Sequence, residues 1–317
     1  SFYCVLEVCI EDPDEPKDPE TPHFIPAYSQ KVKASKEFQT FQFDHSFVLN
    51  SLKSSMEGYV FHNQPLDTDD LLEQTVKLFN SCKTSLELFD MLHNMRAYDD
   101  STHAHSLNVA LICRRIGKWL KVDAATLDPL TLCGLLHDIG KLKIPDEILN
   151  KPGKYTDEEF DLVKRHTKFG YELLKPLNID PHIKKAALLH HERCDGSGYP
   201  LKATQKDLDD FSMVVAIADV YDAMTAARSY RAPLCPFQVI ERFEQEGLQK
   251  YKPKFILTFL QHIASTYQNN RVLLSNGQSA NIVMLNQQHL ARPIVQLNDN
   301  SCIDLSTRLD LHIQSIL

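Results

Sequence analysis

No apolar run in this 317-residue sequence approaches the ~20 residues that a membrane-spanning helix needs, so membrane insertion is not expected. Basic residues are outnumbered 34 to 42, a formal charge of −8. A general binder of duplex nucleic acid needs a basic surface, and that class is excluded. An anionic ligand would have to be held by local arginines, lysines or metal ions. Eight cysteines, at positions 4, 9, 82, 113, 133, 194, 235 and 302, form no CxxC pair. They are expected as reduced thiols of a cytoplasmic protein. No signal-peptide pattern opens the chain, which begins with Ser rather than Met, as a piece of a longer protein would. Walker loop, dinucleotide fingerprint, nucleophile elbow and internal repeat are all missing. What is present is an ordinary globular composition, 43% hydrophobic and 24% charged, which excludes a wholly disordered chain. At ~150 residues per domain the length suggests about two domains.

Residues 1–10 (SFYCVLEVCI) have the β-branched and aromatic content of a strand. The next sixteen residues carry five prolines and six acids. They cannot build a packed core and are expected as a linker or solvated loop. Ser35 to His62 is expected as a helix followed by a loop. From Asp67 the period becomes helical, with Leu71, Leu72, Val76 and Phe79, then Leu86, Leu88, Phe89 and Leu92. Helical patterns continue over 103–121, 124–137, 157–174, 179–191, 210–227, 236–247 and 253–268. Two apolar runs around Asn276-Gly277 then give a strong hairpin signal. The tail is expected as a small β-module of three to five strands.

Histidine is the informative residue. Seven of the fourteen fall between His103 and His191. His137-Asp138 follows an apolar GLL, which would deliver an imidazole and a carboxylate into the interior. A buried ionised aspartate is costly, and a divalent metal resolves that cost. Lys141 lies three residues on, one helical turn, where it could reach an anion beside the metal. His190-His191-Glu192 ends another apolar helix; at a frayed end two adjacent histidines can serve two metals or bracket one centre. His105 and His166 each sit on apolar helix faces. Asp219 and Asp222 lie one turn apart in a helix otherwise fit for burial, needing an arginine or a metal as partner. Arg228 and Arg231 could supply ion pairs or face a phosphate. Together, five histidines and two aspartates make a nitrogen- and oxygen-rich pocket. Such a set suits iron, manganese, nickel or zinc, and its size suits two metals. Two metals about 3.5–4 Å apart are a recurrent means of hydrolysing phosphate esters.

The order His105, His137-Asp138-Ile-Gly-Lys141, His166, His190-His191-Glu192, Asp195-Gly-Ser-Gly198-Tyr199-Pro200 and Asp219-Val-Tyr-Asp222 resembles the HD-GYP family. These are HD-superfamily phosphodiesterases acting on the bacterial second messenger cyclic di-GMP. The resemblance covers roughly residues 99–265. It implies a mainly α protein with a multi-helix HD-type catalytic domain over 99–268. The residue patterns outside the resemblance add an N-terminal region (1–98) of α+β or irregular structure and unknown role before it, and a small β-module (269–317), such as follows this domain in some members, after it. The resemblance also implies that His105, His137, Asp138, His166, His190, His191 and Asp219 ligate metal, Asp138 bridging two ions, with iron or manganese favoured over nickel or zinc. Asp138 and Lys141 would be catalytic, Lys141 contacting the scissile phosphate. Gly198, Tyr199, Pro200, Arg228 and Arg231 would bind the dinucleotide. Gly196 and Gly198 would let the loop turn sharply, and Tyr199 would offer a face to guanine. Members with a third metal place a glutamate where this chain has Ser101, so the expected site is binuclear and the expected product linear pGpG. Cyclic GMP-AMP is the alternative substrate. A non-catalytic adaptor for GGDEF-domain proteins is the rival class, and a homodimer is a further arrangement to test.

Overall fold

The computed structural model describes residues 27–95, 101–151, 153–226, 234–246 and 248–317. The expected N-terminal strand, the proline-rich stretch, and Arg228 and Arg231 lie outside these residues.

Helix α1 (Ala27–Ala34) leads into α2 (Lys36–His62), which runs unbroken for 27 residues. This corrects the expected helix and loop. Phe38, Phe41, His45, Val48, Leu49, Leu52 and Met56 are buried at three- and four-residue spacing, the period of an amphipathic helix. Exposed Phe43, Phe47 and Phe61 on the same helix obscure that stripe in the sequence. Ser35 caps its start by accepting from the Phe38 amide, and Asn63, in the left-handed region, ends it. Helices α3 (Thr68–Ser81) and α4 (Ser85–Met95) follow, and Tyr28 of α1 donates to the Asp90 carboxylate on α4.

The central helices are α5 (Thr102–Trp119), α6 (Ala124–Leu136), α9 (His166–Leu174), α10 (Pro181–Leu189) and α11 (Asp210–Thr225). Every residue of α11 from Ser212 to Thr225 is buried, so apolar side chains on all its faces meet other helices. It packs on α5 and α10, while α5 packs along α6. Between α6 and α9 come a 3-10 turn (Ile139–Lys143), the short α7 (Asp146–Leu149) and α8 (Asp157–Lys164). The pattern over 157–174 is thus two helices, broken at Arg165 rather than continuous. Thr156 and Glu159 form a capping box at the start of α8.

Helices α12 (Pro236–Glu246) and α13 (Pro253–Thr266) lead to a five-stranded antiparallel sheet. Its strands are β1 (Arg271–Leu274), β2 (Ser279–Met284), β3 (Ile294–Leu297), β4 (Cys302–Asp304) and β5 (Ile313–Ile316), in the order β4-β3-β2-β1-β5. The β1–β2 hairpin turns at Asn276-Gly277, where Gly277 has φ 82°. Arg292 ties this sheet to α12 by pairing with Glu241 at 2.6 Å. One hydrophobic core runs from Phe38 of α2 through the central helices to Ile313 of β5. No described helix is long and apolar enough to cross a membrane, and the described cysteines are free thiols.

Candidate metal centre

Helix ends deliver most of the candidate ligands. His105 lies in the first turn of α5, His137 caps the C-terminus of α6, and Asp138 is the residue after it. His166 opens α9, and His190 and His191 follow the last turn of α10. Asp219 comes from the middle of α11. The structure brings these seven side chains together, all buried. Asp138 stands at the centre: Oδ2 lies 3.3 Å from His137 Nε2 and 3.7 Å from His105 Nε2. Its Oδ1 lies 3.4 Å from His166 Nε2 and 3.7 Å from His190 Nε2. Asp219 reaches His105 Nε2 at 3.0 Å and His191 Nδ1 at 3.7 Å.

Main-chain carbonyls set the tautomers. The Nδ1 atoms of His137, His166 and His190 lie 2.7, 2.6 and 2.9 Å from the carbonyl oxygens of Gly134, Val163 and Ala186. A carbonyl only accepts, so Nδ1 carries the hydrogen and Nε2 is left with its lone pair. The lone pairs of His166 and His190 then face each other at 3.3 Å, beside carboxylate oxygens. His137 Nε2, Asp138 Oδ1, both His191 nitrogens and Asp219 Oδ2 are buried without a hydrogen-bond partner among the described residues. Buried polar atoms are ordinarily satisfied. Inward-facing lone pairs that outnumber the donors among them are what a cation satisfies, so these residues fit a divalent metal.

Asp222, one turn beyond Asp219, accepts from His105 Nδ1 at 2.8 Å. Its sequence position shows only that a buried carboxylate needs a partner; the structure shows an imidazole as one. A carboxylate behind a histidine orients the ring and raises its basicity. Asp222→Asn should therefore weaken metal affinity about 10–100-fold, measurable by competition with a chromogenic chelator, while the fold survives.

Ionisation follows the same geometry. Burial disfavours the charged form of Asp138, but the Lys141 ammonium, 2.6 Å from Oδ2, outweighs it and holds the carboxyl well below its usual range. Burial pushes His166 down to about 4 against the pull of Asp138. His190 and His191 also fall well below the ordinary value, by burial and then by neighbouring histidines. His105 is the exception: burial opposes its charge, but Asp219 and Asp222 raise it to about 9. The signs give a window for the metal-free protein. Below the ordinary 6.5 the unfolded chain binds protons that folded His166 refuses, so stability falls as pH drops toward 4. The contribution of His105, present below 6.5, is lost as pH rises through about 9. Calorimetry of metal-free protein should show its highest melting temperature near pH 6.5, declining both toward pH 4 and toward pH 9.

Gly198-Tyr199-Pro200 lies in the loop that follows α10. Gly196 has φ 78°, as a sharp turn requires. Gly198 is needed for space instead: a Cβ there would meet Glu192 Cα at 2.4 Å and His191 O at 2.5 Å. The Tyr199 ring sits 4.7 Å from the His191 ring, tilted by 30°. It also packs into a small apolar cluster with Ile144, Leu149, Val163 and Phe160. Ser101, at the position of the third-metal glutamate, caps α5 by accepting from the Ala104 amide at 3.2 Å.

Imidazole lone pairs turned toward shared carboxylates on a helical scaffold define a metal-binding helical domain. The chain belongs to the HD-domain family, whose model matches residues 70–255, and its His137-Asp138 and Gly198-Tyr199-Pro200 motifs are those of the HD-GYP type. An HD domain implies divalent-metal binding, which the cluster fits. The chain is 36% identical over 178 residues to the cyclic di-GMP phosphodiesterase of Thermotoga maritima, covering 55% of this chain and 48% of that protein. It is 34% identical over 183 residues to the 3'3'-cGAMP-specific phosphodiesterase 2 of Vibrio cholerae, covering 57% of this chain and 35% of that one. In fold it is similar to Bd1817, a HDG"Y"P protein from Bdellovibrio bacteriovorus. The TM-score is 0.51 at 19% identity, over 74% of this chain and 78% of that one. The chain spans about half or less of the length of these curated relatives.

Proposed function

We propose that this chain is a metal-dependent phosphodiesterase that hydrolyses cyclic di-GMP to linear pGpG at a binuclear centre. One observation carries the reading: Asp138 belongs to two groups of candidate ligands at once. His105 and His137 join it in one, and His166, His190 and His191 in the other. Within each group the ligand atoms lie within 4.8 Å of one another. A carboxylate that offers its two oxygens to two sets of imidazoles is placed to bridge two cations. Asp219, between His105 and His191, completes the donor set. Nitrogen and oxygen donors without thiolate suit iron or manganese, with nickel or zinc also compatible. Bound there, such ions supply Lewis acidity and an activated water at neutral pH.

The chain's own residues do the rest. Lys141 holds a buried positive charge beside Asp138, where it would meet a phosphoryl oxygen and stabilise charge developing on it. Tyr199, presented by Gly198 and Pro200 beside His191, is the surface against which a guanine would rest. Arg228 and Arg231 are the proposed further contacts to the anionic backbone. Ser101, used as a helix cap, has no carboxylate to offer a third ion, which favours pGpG as the end product.

Cyclic GMP-AMP is the second reading, favoured by the similarity to the 3'3'-cGAMP-specific enzyme. Both ligands present two phosphodiesters and a guanine, so the chemistry at Asp138 and Lys141 would be shared. Manganese-loaded protein should be given each dinucleotide and its products separated by chromatography. Faster conversion of cyclic di-GMP, stopping at pGpG, is expected. Faster conversion of cyclic GMP-AMP would transfer the assignment to that substrate, and rapid GMP formation would overturn the binuclear argument.

A further inference from the structure

Two residues of His190-His191-Glu192 face the candidate metal centre; the third does something else. Glu192 is only 2% exposed. Among the described residues no hydrogen bond or ion pair joins it to Asp138, Asp219 or the five histidines. Its oxygens accept main-chain N–H groups from the far side of the Gly198-Tyr199-Pro200 turn. Oε1 takes the Leu201 amide at 2.6 Å and Oε2 the Ala203 amide at 3.0 Å. The near side of the same turn is fastened too, since the Tyr199 amide donates to His191 O at 3.3 Å. Gly198 lies flat against the main chain of residues 191–193. The segment that carries His190 and His191 is therefore bonded to both limbs of the loop. Amide donors are independent of side-chain identity, so on the far limb the tether depends on the Glu192 carboxylate. Hydrogen bonds to an ionised acceptor are the stronger kind, and two of them fix an orientation that one could not.

We propose that Glu192 is a positioning residue that ties the loop from Gly198 to Ala203 to the metal-bearing segment and thereby sets the affinity for the substrate. The part that concerns substrate rests on the cyclic dinucleotide reading above; the tether itself does not. Loop geometry decides where Tyr199 stands relative to His191. A slack loop offers the substrate a surface that must be ordered at the moment of binding, which costs affinity. The metal ligands, held by α5, α6, α9, α10 and α11, keep their places.

The test is Glu192→Gln in the full chain loaded with manganese. Glutamine presents an NH2 where one carboxylate oxygen accepted, so one bond is replaced by opposed donors. Hydrogen–deuterium exchange over 198–203 should accelerate about tenfold or more, as loss of a bond to a charged group implies. KM for cyclic di-GMP should rise by about tenfold, with kcat and bound metal changing far less, the pattern of lost binding rather than lost chemistry. Unchanged exchange would overturn the tether. Loss of metal in step with activity would make Glu192 part of the metal centre and overturn the positioning role. Glu192→Asp, which keeps the charge but withdraws it by one methylene, serves if the glutamine variant does not fold; faster exchange confined to this loop is again expected. If wild-type protein leaves cyclic di-GMP intact, the substrate reading fails, while the exchange measurement still decides the tether.

Discussion

Asp138→Asn should lower the rate of cyclic di-GMP hydrolysis by about 10³-fold or more and strip the protein of bound metal. Loss of a single preorganised electrostatic group commonly costs about 10²–10³ in rate, and here one substitution touches everything in the centre. Asp138 Oδ2 serves His137, His105 and Lys141, and Oδ1 faces His166 and His190. An amide has the same shape but one acceptor oxygen and no charge, so it cannot offer equivalent donors to two cations. Nor can it balance the Lys141 ammonium. Initial rates at saturating manganese, with elemental analysis of the purified variant, check both halves. Near-normal turnover with two metals retained would place the chemistry elsewhere.

The second large effect comes from a residue with no side chain. Gly140 lies in the turn after Asp138, against α9. A Cβ there would meet His166 O at 2.0 Å and Gly170 N at 2.4 Å. Both are backbone atoms of a packed helix and cannot move aside as a flexible side chain would. Gly140→Ala should destabilise the protein by about 3 kcal/mol or more, the upper end of the overpacking range. It should also weaken metal binding, because the displaced turn carries Asp138 and α9 carries His166. Gly170→Ala is the internal control. Its added methyl would meet Ala187 Cβ at 3.4 Å, an ordinary contact, and alanine is the better helix former by about 1 kcal/mol. Thermal melts of the two variants should diverge, with a large loss for Gly140→Ala and little change for Gly170→Ala. Equal melting temperatures would show that the turn does not need this close approach.

The parts of the molecule legible from sequence are those written in local pattern. His137, His190 and His191 follow runs of apolar residues, so their burial can be read directly. Burial of several imidazoles together already implies a metal. The Asn276-Gly277 hairpin is equally local. Helix α2 was harder, because Phe43, Phe47 and Phe61 put apolar side chains on its solvent face and blur the period. The break at Arg165 is invisible for a related reason: the apolar spacing of α8 and α9 continues across it. Three features depend on how the chain folds back on itself and left no local trace. Asp222 is a conspicuous buried acid, but that it backs His105, 117 positions away, emerges only when α5 meets α11. Glu192 reads as part of a histidine motif until the loop returns to its carboxylate. Gly198 suggests a flexible turn, whereas its role is to leave room for the main chain at Glu192.

The proposed bridging of two metal ions by Asp138, between two sets of histidines, is open to direct measurement. Anomalous scattering from crystals of the manganese- or iron-loaded chain measures this directly. The expected map has two peaks, both in contact with Asp138, one beside His105 and His137 and the other beside His166, His190 and His191. A single peak, or peaks that leave Asp138 outside the coordination, would contradict it.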